Sequence, residues 1–285
     1  MLPLGLFAWF GHRLPLRERL TLIAETGFDA VSLWLGEEEE LVAQGRAERL
    51  PALALELGLT VDHAHAPFPE CNRLWSKDAG LVAAWTEEHA RHLTFCHEHA
   101  IPRLVIHVVE EPCPPAFAQS GVDAVRRLAT RAEQLGVVLA IENTCSAQGL
   151  GLLLESIPSP ALGLCYDSSH DFLPGQTRGE VLATWGARLA AMHLSDNHGE
   201  DDDHFLPGDG QVDWQALATV FPRASYSGTL VFELLPRVQD EGTAGDFVRA
   251  AYGRALRVRE VVAGNGRPPP SGVRQPSSLR SAKGS

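Results

Sequence analysis

Eight short runs of β-branched and apolar residues recur along this chain, and each leads into a longer stretch whose apolar residues fall at helical spacing. The runs are residues 2–8 (LPLGLFA), 29–35 (DAVSLWL), 59–65 (LTVDHAH), 103–109 (RLVIHVV), 137–143 (VVLAIEN), 162–167 (LGLCYD), 188–194 (RLAAMHL) and 228–234 (GTLVFEL). The stretch GVDAVRRLATRAEQLG represents the intervals: Val122, Val125, Leu128 and Leu135 lie near one helical face, and Gly136 supplies the stop. Eight strand-then-helix units in roughly 260 residues match, in length and order, a closed eight-stranded parallel β/α barrel with its helices outside, an α/β (TIM) barrel. An open doubly wound sheet fits less well. The first run leads into WFGHRLPL rather than a glycine-rich phosphate turn, and GLG at 149–151 lacks the third glycine and follows the wrong element. Neither a G-x-S-x-G elbow nor a phosphate-loop sequence occurs.

The barrel is expected to occupy residues 1–263 as a single domain. Residues 264–285, GNGRPPPSGVRQPSSLRSAKGS, are rich in Pro, Gly and Ser with hardly any apolar residues, and are expected to form a disordered tail. No apolar window reaches membrane-spanning length and no basic region precedes the short apolar N-terminal segment, so neither a membrane span nor a signal peptide is expected, and the cytoplasm is the default location. The five cysteines, Cys71, Cys96, Cys113, Cys145 and Cys165, are odd in number and widely spaced, which suggests reduced, mostly buried thiols rather than a disulfide framework. The net charge is −12; the tail holds four basic residues and no acid, so the body carries 20 basic against 36 acidic residues, a net −16. That balance works against nonspecific duplex binding, which depends on Lys and Arg replacing counterions.

In a parallel barrel all strand C-termini meet at one mouth, where the chemistry is found. The strand ends here read His65, His107, Glu142, Asp167 with His170, His193, and Glu233, and the loop after the seventh strand adds Asp202 and His204. Five imidazoles and four carboxylates are the donor types that hold divalent metals. Carboxylates crowded about 5 Å apart repel by roughly 3 kcal/mol per pair at an effective dielectric of about 20, so a cation or protons must accompany them. His63 and His65 share a face by strand alternation; His65 is preferred as the ligand because it lies nearer the mouth. Asp202 and His204 fall on one side if their segment is extended. Asp213 is expected to cap the helix that follows, Asp196 and His198 to be surface groups unless they back up a ligand, and Glu200, Asp201 and Asp203 to be solvated. His89, His92, His97 and His99 read as exposed or helix-packing residues, and GEEEELVAQGRAERL as an acid-rich helix start.

The motifs HAPF (65–68), VIH (105–107), AIEN (140–143), YDSSH (166–170), HLSDN (193–197), DDHFLPGDG (202–210) and VFE (231–233), in this order, resemble the xylose isomerase-like barrel superfamily, which includes sugar epimerases, inosose dehydratases and endonuclease IV. The resemblance covers nearly the whole chain except the tail. In the sugar isomerases and epimerases it implies one metal held by Glu142, Asp167, His193 and Glu233, with Glu142 and Glu233 also moving protons at the carbon beside a carbonyl. In endonuclease IV it implies that all nine positions hold three zinc ions. The expected cofactor is therefore a divalent metal, zinc or manganese, one to three ions per chain. The expected activity is isomerisation or epimerisation of a sugar, sugar phosphate or cyclitol, with an inosose-type dehydratase and a trinuclear zinc phosphodiesterase acting on abasic DNA as alternatives, and a metal-stiffened sugar-binding module as the non-enzymatic one. Charge and Phe68, which stands where the nuclease has a tyrosine, argue against a nucleic-acid partner, while Trp75, Phe68 and Phe117 could stack on a sugar and Arg73, Lys77 or Arg237 meet a phosphate.

Overall fold

A computed structural model describes residues 1–36, 50–223, 225–237 and 242–264. Most of the acid-rich stretch expected to start a helix, and the tail from residue 265, lie outside the described residues. The strands are β1 Leu4–Phe7, β2 Ala30–Trp34, β3 Thr60–His65, β4 Arg103–Ile106, β5 Val138–Glu142, β6 Leu162–Asp167, β7 Leu189–His193 and β8 Leu230–Phe232. The described helices are α1 Leu16–Thr26, α2 Leu50–Glu56, α3 Ala79–Glu98, α4 Gln119–Leu135, α5 Ala147–Ser156, α6 Ser168–Asp171, α7 Glu180–Trp185, α8 Trp214–Val220 and α9 Ala244–Val262.

The strands hydrogen-bond in the order β7-β6-β5-β4-β3-β2-β1-β8, and every pair is parallel. The two ends of this ribbon meet through a parallel bridge between Leu194 and Phe232, where the Leu194 amide donates to the Val231 carbonyl at 2.9 Å and the Glu233 amide to Leu194 at 3.3 Å. The sheet is thus an eight-stranded parallel barrel with its closing seam just past β7 and β8.

Alternation along each strand sorts the side chains into two populations. Leu104, Ile106, Leu139, Ile141, Leu164 and Met192 belong to the large core shared with the helices. Val105, Ala140, Cys165 and Ala191 form a separate small cluster, the filling of the barrel itself. Two residues further along the same strands come His107, Glu142, Asp167 and His193. The chain therefore lays a polar floor on a small apolar plug, and the plug residues are small because four strands crowd them together.

The helices follow their sequence signals. In α4, Val122, Val125 and Leu128 are buried, each worth about 1.5–3 kcal/mol. Gly136 ends α4 at φ 67°, where its amide donates to the Ala132 and Glu133 carbonyls. Asp213 caps α8 through the amides of Gln215 and Ala216, as its position suggests.

Candidate metal centre and active site

Glu142, at the end of β5, is the hub of the mouth and is only 1 % exposed. Its Oε2 lies 3.1 Å from His65 Nε2, 3.1 Å from His107 Nε2 and 3.2 Å from His193 Nδ1, and its Oε1 lies 3.3 Å from His170 Nδ1. Glu233, just past β8, lies 3.1 Å from the same His193 Nδ1. Asp167 caps α6 by accepting the His170 amide at 2.7 Å with Oδ1, leaving Oδ2 turned inward. Asp202 Oδ2 bridges His170 Nε2 at 3.0 Å and His204 Nε2 at 2.9 Å. All nine strand-end and loop residues named from the sequence are thus brought to one mouth. Three overlapping groups have their donor atoms within 4.8 Å of one another: His65, His107 and Glu142; Glu142, Asp167, His193 and Glu233; and Asp167, His170 and Asp202.

The arrangement suits a cation for a specific reason. His65 Nδ1 faces the Ala66 carbonyl at 2.7 Å, an atom that can only accept, so that nitrogen carries the proton. Burial lowers the His65 pKa, which keeps the ring neutral. Its Nε2 lone pair then points at a carboxylate oxygen 3.1 Å away, two acceptors face to face. Asp167 Oδ2, His170 Nδ1 and His193 Nδ1 are likewise buried without a hydrogen-bond partner. A divalent ion in each of the donor groups these atoms belong to would give them a partner.

Without an ion, protons do that work. Burial alone would lower His107, but Glu142 and Glu110 push it up to about 9. Burial opposes protonation of His204 as well, yet Glu233 and Asp202 push it up to about 10. His170 and His193 are raised well above the ordinary imidazole value against the same opposition, His170 by Asp167 and Asp202 and His193 chiefly by Cys165 and Glu142. Burial would raise Glu142 and Glu233, but His193 with His107 holds Glu142 well down, and His193 with His204 brings Glu233 to about 2. Asp167 goes the other way, pushed up to about 6 chiefly by burial.

Residues 20–251 match the family model described as the xylose isomerase-like TIM barrel. The chain belongs to the xylose isomerase-like TIM barrel family. It is 37% identical over 111 residues to the uncharacterized protein y4fM of Sinorhizobium fredii, a match spanning 39% of this chain and 35% of that one. It is 22% identical over 261 residues to the fructoselysine 3-epimerase of Escherichia coli O157:H7, across 83% of this chain and 92% of the relative. Among solved structures, D-psicose 3-epimerase of Clostridium cellulolyticum H10, solved with D-tagatose, aligns with a TM-score of 0.73 at 17% identity over 92% of this chain and 99% of the other. The IolI protein with a zinc atom aligns with a TM-score of 0.76 at 17% identity over 93% and 99%. At that identity the structural likeness shows the fold.

This member of the xylose isomerase-like family backs its mouth with residues the strand-end reading passed over. Asp62 Oδ2 lies 2.9 Å from His63 Nδ1, and His63 Nε2 lies 2.9 Å from His193 Nε2. Arg103 pairs with Asp62 at 3.1 Å, and together with His63 it holds that carboxyl below its ordinary value against the effect of burial. An ionised Asp62 only accepts, so His63 carries its proton on Nδ1 and accepts the Nε2 proton of His193, which turns the Nδ1 of His193 toward Glu142 and Glu233. His63 is therefore a support beneath the mouth, one layer below His65. Asn143 fixes Asp167 by donating to its carbonyl at 2.9 Å and accepting its amide at 2.8 Å. Glu110 takes the Nδ1 proton of His107. Cys165 lies close enough to share a donor group with Glu142 and His193.

Several expectations need correction. Asp196 is fully buried and accepts from Gly208 N at 2.7 Å, Val212 N at 2.9 Å, Asn197 N at 3.0 Å and Trp214 Nε1 at 3.1 Å, so it organises the loop after β7. Asp203 accepts the His198 amide at 2.9 Å rather than standing solvated. Asp202 and His204 converge because His204 turns at φ 53°, not because their segment is extended. Trp75 is buried, donates to the Val108 carbonyl at 2.6 Å and packs edge-on against Phe117, so both are packing residues. Arg73 pairs with Glu70, and Arg237 lies 3.7 Å from Asp209. Phe68 alone of the three aromatics lines the mouth, stacked on His107 at 4.9 Å between ring centres.

Proposed function

We propose that the protein is a divalent-metal-dependent isomerase or epimerase acting on a sugar, sugar phosphate or cyclitol by proton transfer beside a carbonyl. The observation that carries this reading is the convergence of Glu142 and Glu233 on the same His193 nitrogen, at 3.2 and 3.1 Å, within the one four-donor group of the mouth. Two carboxylates held at one site can act as base and acid toward a carbon beside a carbonyl, one removing a proton and the other returning one. The fructoselysine 3-epimerase that this chain resembles, and the structurally similar D-psicose 3-epimerase, are by name sugar epimerases, which supports this reading.

When bound, a divalent ion supplies Lewis-acid polarisation of the substrate's oxygens. Glu142, Asp167, His193 and Glu233 would hold it; their three carboxylates suit manganese, while the five imidazoles of the wider mouth suit zinc. Phe7, Trp9, Trp34, Phe68 and Leu235 line a mouth cavity of about 290 Å³ together with the polar residues, enough for a monosaccharide-sized ligand, and their apolar faces exclude water and can stack on a sugar. Inosose-type dehydration begins with the same proton removal and fits the same carboxylate pair. Glu142→Gln and Glu233→Gln should each slow exchange of the substrate's α-proton with solvent by about 100-fold or more, with the fold intact by circular dichroism. Exchange that survives in both variants contradicts the reading.

One observation favours a second reading. His65, His107, His170 and Asp202 extend the donor set beyond one ion's needs into three overlapping groups, with His204 2.9 Å from Asp202, an arrangement that suits a trinuclear zinc phosphodiesterase. Nicking of abasic duplex that disappears with chelator would establish it; the net −16 of the body weighs against it.

A further inference from the structure

Cys113 and Cys145 stand apart from the other cysteines. Cys71, Cys96 and Cys165 are at most 2 % exposed, whereas Cys113 is exposed and Cys145 half-buried. The two lie on different loops, after β4 and after β5, yet their Sγ atoms are 3.1 Å apart. Both loops are held by buried or half-buried anchors. Asn72 donates to the Glu110 carbonyl at 2.7 Å and the Pro112 carbonyl at 3.2 Å and accepts the Glu110 amide at 3.0 Å, the Thr144 hydroxyl donates to the Val109 carbonyl, and Gln176 donates to the Cys145 carbonyl at 3.0 Å. The sulfurs are thus kept adjacent by the backbone on either side. Closing to a disulfide, whose sulfurs sit about 2.05 Å apart, needs roughly 1 Å of side-chain rotation.

We propose that Cys113 and Cys145 form a vicinal dithiol that is reversibly oxidised by exchange with low-molecular-weight disulfides, a modification site separate from the metal-binding mouth. The Cys113 thiolate attacks one sulfur of the small disulfide, forming a mixed disulfide and expelling a thiolate that takes up a proton. The Cys145 thiolate then attacks the Cys113 sulfur, forming the Cys113–Cys145 bond and expelling the second small thiolate. Two protons and two electrons leave the pair, and one small disulfide becomes two thiols. Exposure makes Cys113 the point of attack, and Cys145, half-buried with its Sγ 3.1 Å away, is placed to resolve the mixed disulfide. The bond ties the loop bearing Glu110, the partner of His107, to the segment directly after Glu142 and Asn143.

The test is incubation of the full-length protein with oxidised glutathione, followed by intact mass, peptide mapping and thermal melting. The expected product is lighter by about 2 Da, contains a Cys113–Cys145 linked peptide and melts about 5 °C higher, because the bond closes a loop of roughly 30 residues. Cys145→Ser should stop at one glutathione on Cys113, and Cys113→Ser should stay reduced. A wild-type protein that stops at the mixed disulfide, or keeps both thiols, overturns the proposal. So does zinc held by Glu111, Cys113 and Cys145, whose donor atoms lie within 4.8 Å of one another, if it blocks exchange until chelated.

Discussion

At the residue scale the mouth is a set of atoms that conflict unless a cation or protons join them. The lone pair of His65 facing Glu142, and the orphaned atoms of Asp167, His170 and His193, make the same demand from β3, β6, α6 and β7. Asp62 and His63 act one layer down, by fixing which nitrogen of His193 is free. Asp62→Asn should weaken metal binding by about 10–100-fold by isothermal titration while leaving the far-ultraviolet spectrum unchanged; unaltered affinity contradicts that role. Protonation gives a second expectation. His107 and His204 are raised from 6.5 to about 9 and about 10, so in metal-free protein their stabilisation is complete below pH 6.5 and is lost as pH rises through 9 to 10. Asp167, raised to about 6, exerts its effect at lower pH. Metal-free protein should therefore melt progressively lower from pH 7 to pH 10, and metal-loaded protein should lose much less; parallel curves contradict this. Residue types and strand-end positions made the nine mouth residues legible. His63 was ambiguous because alternation gives it the same face as His65, and only depth along the barrel separates a ligand from its support. The Cys113–Cys145 contact was invisible, since it depends on two loops folding toward each other over 32 positions.

At the element scale the strand-helix rhythm located all eight strands, and the observed strands lie inside the runs read from the sequence. The runs are longer because their last residues, such as His107 and Glu233, have left the ladder and serve the mouth. The loop after β7 was read least well. Its charges suggested solvent, yet Asp196 is its internal scaffold, and Gly210 is needed because a Cβ there would lie 2.2 Å from the Asn197 carbonyl oxygen. That fold-back is a long-range event with no local pattern. Asp196→Ala should destabilise the protein by about 3 kcal/mol or more, since it leaves several buried amides unpaired, and this is measurable as a lower denaturation midpoint. A change below about 0.5 kcal/mol would mean that the loop is held otherwise.

At the scale of the whole molecule, the barrel brings together side chains that the sequence spreads from position 65 to position 233. The closing seam between Leu194 and Phe232 is what places Glu233 beside His193, so the site exists only when the barrel is shut. The net −16 of the body works against binding a polyanion. The account rests on a divalent ion at that mouth, and elemental analysis of the purified protein, before and after incubation with zinc or manganese, tests it most directly. It predicts at least one ion per chain, removed by chelator and restored on readdition. A protein that carries no metal and takes up neither ion would contradict it.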